Sequence, residues 1–227
     1  MNYTITVVGP ESAQCDKERV YKLRYEVYKK ELGFKVGDDS NKVYSDKYDA
    51  YSTSLLLTYN GVDIATVRFT VGKNGKLEIE DTNRDWKEKI TSISPSRRTF
   101  VDITRFMVLK EYRKTSASCI IIWELYKHLR SIGVEKCYVA SKVGPLSKLY
   151  KLWNSKILSD DKVPYYVDNF LLGNYSLVTF NLGKKGSWES FSYYVKFGFI
   201  LFLGKYAQPI YKAIRKSTKI KSFKLQS

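Results

Sequence analysis

With 227 residues, 44% of them hydrophobic and 15% aromatic, the chain can bury one substantial core, which excludes a fold that needs metals or disulfides for cohesion. Three cysteines, Cys15, Cys119 and Cys137, lack CxxC spacing and the one histidine, His128, cannot anchor a metal site by itself, so no metal is expected and a reducing, cytoplasmic setting fits. The net charge of +16 is uneven: residues 181–227 hold ten Lys or Arg against the acid Glu189, and such a tail seeks nucleic acid, anionic lipid or an acidic protein.

The first residues lack a basic segment and have too short an apolar run for a signal peptide, so export is not expected. Residues 3–8 alternate as a short strand. Asp16 to Leu32 carries Val20, Leu23, Val27 and Tyr28 at helical spacing, and Gly33 is a C-terminal cap. Gly37 to Tyr51, polar and Tyr-rich, reads as a loop. Thr53–Tyr59 and Val62–Val71 flank Asn60-Gly61, the strongest hairpin signal in the chain. Leu77 to Ser96 is mixed and charged, with one helix about Trp86 to Ile90.

Thr99 to Leu109 returns to strand character. Thr115 to Ile132 is an apolar helix with Ile120, Trp123, Leu125 and Leu129 inward, Lys127, His128 and Arg130 outward, and Gly133 as its stop; Cys119 reads as core. Val134–Ala140 is a strand, Leu146–Trp153 a short helix, and Tyr165–Val167 and Ser176–Leu182 two further strands. This order predicts an α/β (α+β) fold: one mixed, twisted sheet of about seven strands with helices on both faces. Residues 1–182 form the expected domain.

Residues 183–227 read as an apolar and basic helical extension. Phe191 to Leu203 is apolar but interrupted by Lys196 and short of the roughly 20 residues that span a bilayer. With the basic run to Lys224, residues 188–224 read as an interfacial helix touching the inner face of a membrane, as a flap over an acyl tunnel, or as a helix packed on the sheet.

Two segments carry a resemblance. Arg24-Tyr-Glu-Val-Tyr28 with Glu31-Leu-Gly33-Phe34, and Asp102-Ile-Thr-Arg105-Phe106 running into Met107-Val-Leu-Lys-Glu-Tyr-Arg113, resemble the N-acyl amino acid synthases and their cousins the acyl-homoserine-lactone synthases, a branch of the N-acetyltransferase (GNAT) superfamily. Between them Asp46, Asp49 and Arg68 stand where the lactone synthases carry two Asp and an Arg. Phe34 stands where those synthases usually have Trp, Asp102 where they have Glu, and Thr104 where they have Ser, which moves the resemblance toward the amino acid synthases. It implies a sheet splayed between its fourth and fifth strands and no permanently bound cofactor.

The resemblance also implies roles. Amine attack on a thioester requires a base, an oxyanion donor and a proton for the thiolate. Asp102 is the candidate base if burial raises its pKa, backbone N–H groups near Phe106, Met107 and Val108 the oxyanion donors, and Tyr150 the acid. Arg24, Tyr28, Phe34, Asp46, Asp49, Arg68 and Arg105 are candidates for holding the acceptor, although arginines paired with loop aspartates as scaffold would read identically. Where acetyltransferases carry a glycine-rich pyrophosphate loop, this chain has Arg113-Lys-Thr115-Ser116-Ala-Ser118 without glycine. Such a turn suits a single phosphate, so acyl carrier protein is favoured over acyl-CoA as co-substrate.

The expected activity is transfer of a long fatty acyl group to an amino acid or similar small amine. The alternatives are a lactone synthase using S-adenosylmethionine, a CoA-dependent acetyltransferase, and a non-enzymatic basic membrane- or nucleic-acid-binding protein. Nucleic acid is the least expected partner.

Overall fold

The structure, a computed structural model, describes residues 3–73, 77–94, 96–113, 115–142, 155–167 and 170–182. One seven-stranded sheet organises them, in the order β1 (Tyr3–Val8), β2 (Thr53–Tyr59), β3 (Val62–Val71), β4 (Phe100–Val108), β5 (Lys136–Lys142), β7 (Phe170–Asn181) and β6 (Ser155–Val167). All neighbours run antiparallel except β4 and β5. The Asn60-Gly61 turn joins β2 to β3 with both residues at positive φ, 47° and 82°, the left-handed pair that matches the strand twist of a two-residue hairpin.

Alternation in the strands sorts side chains to the two faces. Leu55 and Leu57 meet Ile121, Leu125 and Leu129 of α4 (Ala117–Ser131) on one face, whereas Leu56 meets Val20 and Leu23 of α1 (Gln14–Tyr25) on the other. Each fully buried leucine contributes roughly 1.5–3 kcal/mol. Further along that second face, α2 (Glu78–Thr82) and α3 (Arg84–Ile93) pack Ile79, Trp86 and Ile90 against Phe100, Tyr138 and Leu177.

Several local expectations change. The first helix ends as an α-helix at Tyr25 and continues as a π turn, Glu26–Glu31, before Gly33 closes it at φ 73°. Leu77 to Ser96 forms two helices instead of one, because Asn83 caps the second by accepting from Trp86 N–H at 3.1 Å. The loop before β2 contains a 3-10 turn, Lys47–Ala50. In α4 the buried stripe runs through Ile121 and Tyr126, with Ile120 and Trp123 at its margin. His128 is half-buried with its ring 5.3 Å from Phe69, where burial lowers its pKa. Cys119 is likewise half-buried. β6 begins at Ser155 and not Tyr165: Asp160 and Asp161 interrupt the alternation, and the pairing with β7 absorbs them as an irregularity between Ser159 and Val163.

β4 and β5 pair only from Phe100 to Asp102, against Lys136 to Tyr138. Beyond Asp102 the strands part, β4 staying with β3 and β5 staying with β7 as far as Lys142. At the parting β4 carries a bulge. Thr66 pairs with Met107 and Arg68 with Thr104, so Arg105 and Phe106 together oppose Val67, and Arg105 sits at φ 51°. A non-glycine residue there costs on the order of 1 kcal/mol or more, and the displaced pleat turns Arg105 inward while leaving Phe106 45% exposed.

Candidate active site

Behind the parting strands lies a closed ionic chamber. Arg24, from α1, donates to both oxygens of Asp49 at 2.7 and 2.8 Å and to Ser54 Oγ at 3.0 Å. Arg68, from β3, reaches Thr104 Oγ1 at 3.0 Å and Asp49 at 3.1 Å, and pairs with Asp46 and Glu78. Arg105 closes the ring by donating to Asp46 Oδ2 at 2.8 Å and to Glu78 Oε1 at 2.7 Å. Asp46 also accepts from Tyr48 N–H, and Asp49 from Asp46 N–H, which fastens the 3-10 turn to the chamber. Burial would raise the Asp46 pKa, but Arg68 and Arg105 hold it well below the usual carboxylate range.

Three guanidinium groups thus meet three carboxylates, and Asp102 is a fourth. It is 1% exposed; Oδ2 accepts from Ile79 N–H at 3.1 Å and Oδ1 has no partner among the described residues. Burial, then the charge of Glu78, pushes its pKa up to about 8 against the opposing pull of Ile79 N–H, Arg68 and Arg105. At neutral pH Asp102 is mainly protonated, and the chamber is neutral overall. Among the described residues no group of acidic, Cys or His side chains could hold a metal ion.

A cleft of about 390 Å³ opens beside the chamber, walled by Val27, Tyr28 and Leu32 of the first helix, Phe106, Met107 and Val108 of β4, Arg113 and Ser118 at the start of α4, and Tyr175 of β7. The π turn presents Val27, Tyr28 and Leu32 together, and the β4 bulge presents Phe106. Arg113 donates from Nε to Val108 O at 2.9 Å and pairs with Glu31. Its guanidinium therefore stands beside the first turn of α4, where unpaired N–H groups and the helix dipole favour an anion.

The site residues expected from sequence divide between these two places. Arg24, Asp46, Asp49, Arg68 and Arg105 lie in the chamber, each engaged by another member. Asp102 lies there too and is not among the cleft walls. Tyr28, Phe106, Met107, Val108, Arg113 and Ser118 line the cleft, with Phe34 5.8 Å from Tyr28. Thr115 donates to Tyr112 O and accepts from Ala117 N–H, which spends its hydroxyl locally. Ser116 is 1% exposed with its hydroxyl toward Tyr3, because the chain turns it under β1; it is not a phosphate contact here. Tyr150 and the extension at 183–227 fall outside the described residues. Glu78 is the participant that sequence reasoning misses.

Comparison with known proteins agrees with this geometry. Residues 23–123 match the family described as acetyltransferase (GNAT) domain. That similarity runs from the last turn of α1 into α4 and takes in the chamber and most of the cleft. The fold is similar to that of BjaI, a CoA-dependent acyl-homoserine lactone synthase solved with SAM and isopentyl-CoA, at TM-score 0.63 and 12% identity over 87% of this chain and 90% of that one. MesI, another CoA-dependent lactone synthase, superposes at 0.60 and 14% identity over 98% and 99%. The putative N-acetyltransferase from Lactobacillus plantarum superposes at 0.54 and 14% identity over 80% and 99%. No curated protein sequence matches the chain.

Proposed function

We propose that this acyltransferase moves a long fatty acyl group from the phosphopantetheine thioester of acyl carrier protein to the amine of an amino acid or related small amine. The observation that carries this reading is the parting of β4 from β5 after Asp102, which opens an apolar cleft against a basic helix start. Phe106, Leu32 and Val27 offer an apolar wall to an acyl chain, and Arg113 and Ser118 offer a guanidinium and a hydroxyl to one phosphate. The glycine-free turn before α4 supports a donor with a single phosphate.

In this reading the amine nitrogen bonds to the thioester carbon, the carbon–sulfur bond breaks, the amine sheds one proton to water in the open cleft, and the thiolate gains one. The edge of β4 beyond Asp102 supplies backbone N–H to the carbonyl oxygen. Tyr150 is assigned the thiolate's proton on the family resemblance alone. Asp102 acts by keeping the chamber neutral and β4 in place.

A second reading is favoured by the similarity to lactone synthases: acyl transfer to S-adenosylmethionine followed by ring closure. One incubation separates the two. Acyl carrier protein and CoA thioesters are offered with mixed amino acids or with S-adenosylmethionine, and free thiol, amide mass and methylthioadenosine are followed. Amide with thiol release is expected; methylthioadenosine release would establish the second reading, and silence with every donor and acceptor would overturn both.

A further inference from the structure

We infer that the Tyr28 hydroxyl is a hydrogen-bond donor to the thioester carbonyl in the β4 cleft, completing with the backbone of β4 a two-donor oxyanion site; this rests on the acyl-transfer reading above. Tyr28 is 7% exposed yet lines the cleft. Its ring is held by Tyr44, edge-on at 5.4 Å, by Phe34, and by the Arg105 guanidinium 5.9 Å from the ring centre. It belongs to the same packed group as Met107, so it stands beside the strand whose outer edge is open.

The hydroxyl makes no hydrogen bond to any described residue. The ring is buried but its hydroxyl oxygen is not, so it opens to the cleft with a proton free to donate to a bound group. The neighbouring polar groups are already committed. Arg105 is taken by Asp46 and Glu78, and Arg113 by Glu31 and Val108 O. Burial raises the Tyr28 pKa above that of free tyrosine, so the phenol keeps its proton at physiological pH and can donate but not act as base.

Among the reacting groups, the acceptor that fits is the carbonyl oxygen. The attacking amine must keep its lone pair for carbon, so a donor on the nitrogen would slow attack, whereas the carbonyl oxygen gains negative charge as the tetrahedral intermediate forms. The proton stays on the phenol throughout, and the π turn that places Tyr28 here sets the position of the donor.

The test is Tyr28→Phe, which keeps the ring and its packing. With acyl carrier protein thioesters, kcat should fall on the order of 100-fold, the loss typical of one oxyanion donor, while donor KM and Tm stay near the parent values. An unchanged kcat would overturn the inference. A second readout does not depend on turnover: a decanoyl phosphopantetheine ketone, carbon-13 labelled at the carbonyl and carrying methylene in place of sulfur, is bound and its carbonyl stretch recorded. The stretch should lie lower on the parent protein than on Tyr28→Phe, and equal stretches would overturn the inference. If the parent binds the ketone with a lowered stretch yet turns over no donor, the acyl-transfer reading fails and Tyr28 stands as a carbonyl-binding group; if the parent does not bind it, both fail.

Discussion

Asp102 titrates in a place where water cannot follow, and that gives it a measurable signature. An unfolded chain releases the aspartate proton near about pH 3.9, whereas the folded protein holds it up to about 8. Between those limits the native state binds the extra proton, so stability from this group falls as pH rises, by about 1.4 kcal/mol per pH unit. Asp102→Asn cannot titrate and leaves three guanidinium groups facing three carboxylates. Its urea midpoint should therefore gain on that of the parent from pH 5 to pH 8; parallel pH profiles would show that Asp102 is ionised in the fold. Arg113 tests the other end of the site. Arg113→Ala should raise KM roughly 10- to 100-fold for donors carrying the phosphate, and hardly at all for an acyl N-acetylcysteamine that lacks it. Equal effects on both would place Arg113 in packing only.

At the scale of elements, the five-residue α2 has no length with which to be stable alone, and Glu78 is what fastens it across β3 and β4 through Arg68 and Arg105. Glu78→Gln removes the charge that both arginines share. A broken buried pair costs about 3–5 kcal/mol, so Tm should fall by roughly 10 °C; a fall of a degree or two would mean that water replaces the carboxylate. None of this was legible beforehand. In Leu77-Glu-Ile-Glu80-Asp81 one acid among three is buried, and local sequence gives all three the look of a solvated helix start. The π turn was equally hidden, because Val20, Leu23, Val27 and Tyr28 satisfy a plain helical stripe and one extra residue per turn leaves no trace in it. The hairpin, by contrast, is written in two residues, Asn60-Gly61, whose backbone freedom permits that turn.

For the whole molecule, the succession of strands along the chain and the splay were readable, the first from alternation and turn residues, the second only through the resemblance, whereas the crossing that sets β7 between β5 and β6 was not. Which residues would meet was not: Arg24, Asp49, Arg68 and Arg105 come from four separate segments, and their mutual pairing is a product of tertiary packing. The three-residue junction of β4 with β5 has a consequence of its own. On one side of it β1 to β4 share long ladders, and on the other β5, β7 and β6 do the same, so the sheet is two blocks joined along a short seam. Partial opening free energies differ between such blocks. Amide hydrogen exchange should resolve two protection classes that divide at this seam, and an acyl-chain analogue seated in the cleft should draw them together; one uniform class before ligand is added would mean that the two blocks unfold as one.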